Sequence, residues 1–279
     1  ADEKAFLWAN RLLGNPSNSP GVEIALGGLQ LEARVSTRIA LTGADLQASL
    51  NGQPLSPWQT ARLNPGDRLH FGYARSGLRG YLAVQGGLRV TPVLGSTATV
   101  MREHLGGLDG QGSKLQTGDW LPCDTRPEQM HRRVLADYIP DYRQPLTLRV
   151  IAGHQHGQFH KTALDTFYGS RYRIGAQSDR MGVRLQGEPV PAQTASMLSE
   201  GISFGAIQVP PDGQPIILLK DRQTIGGYPK LGTLHPLDAF ALAQIPPNSE
   251  VGFKAITLKA AQQQMRTFYG FLLERPWPR

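Results

Sequence analysis

SEGISFGAIQVPPDGQPIILLKDRQTIGGYPKLG, residues 199–232, decides how this chain is read. Two short apolar runs, AIQV (206–209) and PIILL (215–219), are bounded by loops rich in Gly and Pro. Short β-branched runs punctuated in this way read as strands. Around them sit Glu200, Gln208, Asp221, Arg222, Gln223, Thr224 and Lys230. Polar groups at strand ends beside glycines let a rigid scaffold present a site while a ligand approaches the backbone. A loop that merely connects would also be rich in Gly and Pro. It has no need of so many acids, amides and cations.

The same strand signature extends outward in both directions. GVEIAL (21–26), LQLEARV (29–35), RIALTG (38–43), RLHFGY (68–73), GYLAVQ (80–85) and LTLRVIAG (146–153) all read as strands. Glycine (32) and proline (21) recur between them, and helical periodicity is scarce between residues 16 and 255. Short strands with frequent turn signals and no βαβ alternation imply β-barrels or sandwiches. Helical periodicity is clear at the two ends. ADEKAFLWANRLLGN places Ala5, Leu7, Trp8, Leu12 and Leu13 on one face, and Gly14-Asn15 stops it as a C-cap. Near the other end, Leu258, Ala261, Met265, Phe268, Tyr269 and Leu272 fall at helical spacing and predict a packing helix.

One local pattern recurs. ARLNPGDRLHF (61–71), KLQTGDWLPC (114–123) and AQIPPNSEVGF (243–253) each enter a Pro/Gly/Asn turn and leave as a strand. Gly66-Asp67 and Gly118-Asp119 are turn-formers, glycine for the left-handed conformation and Asp for bonding turn amides. The recurrence suggests related β modules. The polar, Pro-flanked stretch DTRPEQMHRRVLADYIPDYRQP (124–145) is the natural boundary, so the chain divides into residues 1–135 and 136–279.

At 279 residues the chain can hold two domains or one large β domain, with ample core. A net charge of +7 permits an anionic substrate or an acidic partner. Its Lys and Arg are scattered, without a stripe interleaved with aromatics, which argues against nucleic acid. The cluster MHRRV (130–134) reads as solvated surface. No apolar run approaches a membrane span. The single cysteine, Cys123, excludes an internal disulfide, fits a reducing cytoplasm, and reads as a small packing residue.

There is no GxxxxGK[ST] loop, HExxH or GxSxG motif. His154 and His156 could share a face of an extended segment, with His160 nearby, but a metal centre needs a third ligand and outer support, so no metal is assigned. The chemistry therefore points to SDRMGVRLQG (178–187) and 199–232. Asp179-Arg180 can join a charge-assisted network, and Arg180 can hold a carboxylate bidentately. Glu200 can act as general base if burial raises its pKa. Gln208 has the donor and acceptor needed to read an amide. Gly226-Gly227 can turn backbone amides toward an oxyanion, and Lys230 can neutralise that charge. Asp221 and Lys230 could instead pair with each other.

These segments closely resemble the biotin-dependent carboxyltransferase family, also called the allophanate hydrolase subunit 2 family. ANRLLGNPSNSPGVEIALGGLQLE, ALTGADLQASLNG, LRGYLAVQGGLRVTPVLGSTAT, LGGLDGQGSKLQTGDWL and LAQIPP follow the family order as well. The resemblance covers nearly the whole chain. The family pattern opens with a TVQDxGRxGxxxxGVxxxGAxD-like segment, of which Ala1-Asp2 looks like the tail, so the natural chain is expected to begin earlier. The resemblance implies a mainly β fold with two cyclophilin-like β-barrel modules, a few short helices and a C-terminal helix. Within the family the likeness is to the C-type component of 5-oxoprolinase. That type works in the cytoplasm with two sister components, a B-type one that is itself allophanate hydrolase subunit 1-like and an A-type one. Together they open 5-oxo-L-proline to L-glutamate, with ATP used by the complex. The alternatives are a urea-carboxylase-type carboxyltransferase, with biotin carried on another chain, and a non-catalytic regulator of a sister kinase-inhibitor protein. By family position, Glu200, Asp221 and Arg180 are the expected catalytic groups. Asp179, Gln208, Gln223, Thr224, Gly226, Gly227, Tyr228 and Lys230 are expected to hold a small amide substrate.

Overall fold

A computed structural model describes residues 1–126, 130–194 and 197–274. The chain divides into two compact units, one of Glu3–Asp141 and one of Ala1–Asp2 with Tyr142–Arg279.

The first unit opens with α1 (Glu3–Leu13), whose buried face includes Ala5, Leu7, Trp8, Leu12 and Leu13. It stops where the sequence places the stop. Gly14 takes φ +67°, its N–H donates to Arg11 O (3.0 Å), and Asn15 N–H donates to Asn10 O (3.0 Å). Those paired bonds are a Schellman cap, which satisfies carbonyls the helix itself leaves free. Eight strands follow: β1 (Val22–Ala25), β2 (Gln30–Glu32), β3 (Thr37–Asp45), β4 (Ser49–Leu50), β5 (Gln53–Pro54), β6 (Gln59–Leu63), β7 (Arg68–His70) and β8 (Ser76–Val84). They form two four-stranded sheets, ordered β1-β8-β3-β6 and β2-β7-β4-β5. The core between them holds Ile39, Leu41, Leu69, Phe71, Leu82 and Val84, and Cys123 packs half-buried against it.

The segment 130–134 is more than solvated surface. Thr60 N–H donates to Arg132 O (2.8 Å), Val134 N–H donates to Trp58 O (2.9 Å), and Val134 is buried. An exposed strand edge offers unpaired backbone groups, and this basic stretch satisfies some of those on β6.

The recurrent turn is the same device each time. Asp67 N–H donates to Asn64 O (3.0 Å) while Asp67 Oδ2 accepts from Asn64 N–H (2.7 Å). Asp119 and Gln116 repeat both bonds, at 3.1 and 2.7 Å. In the third turn Asn248 takes φ +68° where Gly66 and Gly118 take +89° and +95°. A positive φ at the third turn position is the type II requirement, which Gly or Asn meets.

The second unit is built on β9 (Leu146–Ala152), β10 (Tyr172–Ile174), β11 (Gly182–Gln186), β12 (Glu200–Gly201), β13 (Ala206–Gln208), β14 (Ile216–Leu218), β15 (Ile225–Gly226), β16 (Lys230–Leu234) and β17 (Glu250–Ala255). Seven of these close a barrel in the order β10-β11-β14-β13-β16-β9-β17. Pairing is antiparallel except between β17 and β9. The core contains Leu148, Val150, Tyr172, Leu185, Ile207, Ile217, Leu231 and Val251. β12 and β15 pair with each other in a separate ribbon.

The mainly β architecture with short helices and a C-terminal helix is as expected. Two internal helices, α2 (Lys161–Gly169) and α3 (Pro236–Leu242), were not expected from periodicity. α2 buries only Ala163 and Phe167, one helical turn apart, with Phe167 stacked 4.3 Å from Phe253. Two apolar positions are too few to mark a period. α4 (Leu258–Tyr269) starts at Thr257, whose Oγ1 accepts from Ala260 N–H (3.2 Å). Its Phe268 lies 6.3 Å from Phe240 of α3.

Candidate functional site

The candidate site lies along the neighbouring strands β11, β14 and β13, beside the place where the loop into β11 meets the loop after β14. Asp179 shapes the first loop: its Oδ1 accepts from Met181 N–H (2.8 Å) and Gly182 N–H (3.2 Å). Arg180 crosses to the second loop, donating from Nε to Asp221 Oδ2 (2.7 Å) and from Nη2 to Asp221 Oδ1 (3.0 Å). Asp221 N–H returns a bond to Arg180 O (2.9 Å). This bidentate geometry commits Arg180 to Asp221 and makes the pair a stitch between two loops. The Nε–Nη2 edge of Arg180 is thus taken by Asp221. Arg222 braces the same loop by donating to Ile202 O (3.0 Å) and Leu219 O (3.2 Å), and burial pulls its pKa down.

Beside this stitch, over β11, β14 and β13 and the loop that follows β13, opens a cavity of about 860 Å³ whose lining includes Asp179, Arg184, Gln208, Gln214, Gln223 and Tyr228, but not Arg180, Asp221, Glu200 or Lys230. Four of these, Asp179, Gln208, Gln223 and Tyr228, are expected from sequence; Arg184 and Gln214 are not. Gln208 is 2% exposed, and its Nε2 has no hydrogen-bond partner among the described residues. Leaving a buried amide donor unmade costs about 1–3 kcal/mol. Gly226 leaves the space that this amide occupies. A Cβ there would come within 3.0 Å of Gln208 Nε2 and 2.7 Å of Ile202 Cδ1.

Gln208 is the Cα partner of Lys230, across a register shift between Ile207 and Gln208. Such bulges re-aim side chains beside sites. Lys230 is buried, and its ammonium pairs with Glu200 Oε1. The alternative in which Asp221 and Lys230 pair with each other is not the one formed: Asp221 pairs with Arg180 and Lys230 with Glu200. Gln155, just after β9, joins the same group: its Nε2 donates to Glu200 Oε1, and its Oε1 accepts from Lys230 N–H (2.7 Å). His154 Nε2 approaches Glu200 Oε2 at 3.4 Å. The Lys230 ammonium holds the Glu200 carboxyl below its ordinary pKa, against a smaller opposing effect of burial; Lys230's charge, His154 and Gln155 add to the lowering. The condition for a raised Glu200 pKa is therefore not met, and Glu200 is an anion at neutral pH.

The remaining expected residues serve the ribbon. Gly226 stands opposite Glu200 in the β12–β15 ladder. Gly227 O accepts from Met197 N–H (2.9 Å), and a Cβ on Gly227 would sit 2.7 Å from Met197 O. Thr224 is exposed and its carbonyl accepts from Ile202 N–H (3.0 Å). His156 Nδ1 lies 3.1 Å from Leu231 O, and His160 precedes α2. Among the described residues, no group of three or more His, Cys, Asp or Glu is gathered to hold a metal. Gln155 carries no motif signal in sequence; only its adjacency to the two histidines drew notice to that loop.

Comparison with known proteins gives a consistent picture. The family described as carboxyltransferase domain, subdomain A and B, matches residues 1–255. The C component of the Escherichia coli 5-oxoprolinase is 36% identical over 96% of this chain and 86% of its own length. The protein of the same name from Haemophilus influenzae is 34% identical over 95% of this chain. A putative urea carboxylase of Emericella nidulans is 31% identical over 92% of this chain but only 22% of its own length. Among solved structures, TTHA0988 superposes with a TM-score of 0.81 at 34% identity, over 91% of this chain. This chain spans about half, 48%, of that protein. The Kluyveromyces lactis urea carboxylase superposes with a TM-score of 0.88 at 24% identity, over 98% of this chain and 26% of that one, a likeness of fold.

Proposed function

Because the chain belongs to the carboxyltransferase family of subdomains A and B, we propose that it is one component of an ATP-dependent 5-oxoprolinase, opening 5-oxo-L-proline to L-glutamate together with A-type and B-type partners. The observation that carries this reading is the 36% identity to a 5-oxoprolinase C component over 96% of this chain. The site supports it chemically. The substrate is a small lactam with one carbonyl oxygen and one carboxylate. The unpartnered Gln208 Nε2 donates to the carbonyl, where negative charge gathers as the amide is attacked. Arg184, exposed on the cavity lining, meets the carboxylate. Gln223 and Tyr228 orient the ring. Glu200, held as an anion by Lys230, is a fixed negative charge opposite Gly226, the ribbon residue that abuts the Gln208 amide, and not the base. The Arg180–Asp221 stitch keeps the two loops in place. ATP is a substrate of the whole complex, and no residue of this chain is assigned to it. The complex is proposed to work in the cytoplasm, which suits a chain with a single cysteine.

A second reading, carboxyl transfer from a biotin carried on another chain to urea, is favoured by the 31% identity to a putative urea carboxylase. Substrate choice separates the two. With this chain and its partners, ATP-dependent glutamate formation from 5-oxoproline and no urea-dependent bicarbonate fixation is the expected result. Urea turnover without glutamate formation would sink the oxoprolinase reading.

A further inference from the structure

We propose that Gln155 is a positioning residue that locks the Glu200 carboxylate to the start of β16. The inference rests on the reading of Glu200 as part of the working site. It stands on three contacts. Gln155 Nε2 donates to Glu200 Oε1. Gln155 Oε1 accepts the Lys230 backbone N–H at 2.7 Å. The Lys230 ammonium pairs with the same Glu200 oxygen.

Gln155 is only 2% exposed; its bond to the Lys230 backbone is buried, where water does not compete well, and its bond to the Glu200 carboxylate is partly buried. A primary amide suits this position because it offers one acceptor and one donor side by side. The acceptor ties to a backbone group fixed in the barrel, and the donor then meets the carboxylate at a set place. Glu200 itself sits in the two-stranded β12–β15 ribbon, outside the barrel ladder. Without Gln155 its carboxylate would be held by Lys230, a flexible side chain, and by the exposed His154. Among the described residues, Lys230 from β16 and His154 from the loop after β9 are the charged groups that face Glu200. The lock is the link that transmits barrel rigidity to a side chain on a ribbon.

The test uses the full chain with its glutamate side-chain carboxyls labelled with carbon-13, and Glu200→Gln to assign the Glu200 signal. In Gln155→Met, the Glu200 carboxyl is expected to titrate at higher pH than in the unaltered protein, because one hydrogen bond to the charged form is gone. In Gln155→Glu, a second carboxylate against Glu200 raises the upper of the two coupled titrations further. In the assembled enzyme Gln155→Met lowers kcat with little change in KM. A Glu200 titration that stays put in a folded Gln155 variant overturns the proposal. If neither variant folds, the unaltered protein still decides: the Gln155 side-chain amide resonance must move through the Glu200 titration and must lose that movement in Glu200→Gln. Failure of the oxoprolinase reading would show separately, as an unaltered complex that makes no glutamate while the titrations behave as stated.

Discussion

Replacing Gln208 with Met should separate stability from function. Gln208 Nε2 is buried without a partner among the described residues, in a strand whose backbone pairs with β14 and β16 on either side. Methionine fills a similar volume, keeps the backbone ladder and carries no donor. Removing an unsatisfied donor recovers part of its desolvation cost of about 1–3 kcal/mol. Some of that is lost again to the entropy of ordering a flexible side chain, so a gain of about 1 kcal/mol is expected. For a chain of this size that raises Tm by about 2–4 °C. Activity should move the other way. A neutral amide bond to the lactam carbonyl contributes about 1–1.5 kcal/mol, or roughly tenfold in kcat/KM. If negative charge builds on that oxygen as the ring opens, the loss grows toward about 3 kcal/mol, roughly a hundredfold. Thermal unfolding of the chain alone and initial rates of glutamate release by the assembled enzyme measure the two sides. A variant that loses stability and activity together would make Gln208 a packing residue, and full activity in a stable variant would remove it from the site.

Three other outcomes follow from the geometry. Since the Glu200 pKa is lowered in the folded chain, its ion pair contributes fully above the ordinary value of 4.5 and that contribution fades as pH falls from there through the lowered folded pKa; urea titrations should show Glu200→Gln less stable than the unaltered chain at pH 6 with the difference shrinking as the solution is acidified, and a constant difference would refute the assignment. A double-mutant cycle on Arg180 and Asp221 should give a coupling of about 1 kcal/mol, small because Arg180 is 35% exposed, and a coupling near zero would dissolve the stitch. Ile217→Ala, at 0% exposure in the barrel core, should destabilise by about 2–5 kcal/mol in chemical denaturation, and a loss below 1 kcal/mol would mean the core collapses around the gap.

Much of this was legible in the sequence, and the exceptions have physical reasons. The helix stop at Gly14-Asn15 and the three turns were readable because each depends on a residue type that alone tolerates the needed backbone. α3 was hidden because Pro236 at its start reads equally well as a turn. Charge partners were not legible. Asp221 stands next to Arg222 and nine residues from Lys230 in sequence, yet pairs with Arg180, because the strands β11 and β14 bring their two loops together. Lys230 reaches Glu200 for a similar reason, through β16 and the β12–β15 ribbon. Gln155 is 45 residues from the carboxylate it holds, a separation that no local spacing rule spans. The cavity residues Gln208, Gln223 and Tyr228 were found because polar groups at strand ends beside glycines are visible without knowing who touches whom.

The measurement that bears most directly on the central claim is ATP-dependent glutamate release from 5-oxoproline by this chain mixed with its A-type and B-type partners, with each component omitted in turn. Release that requires this chain, and is restored when it is added back, is the predicted result. Undiminished release when this chain alone is left out would contradict the assignment.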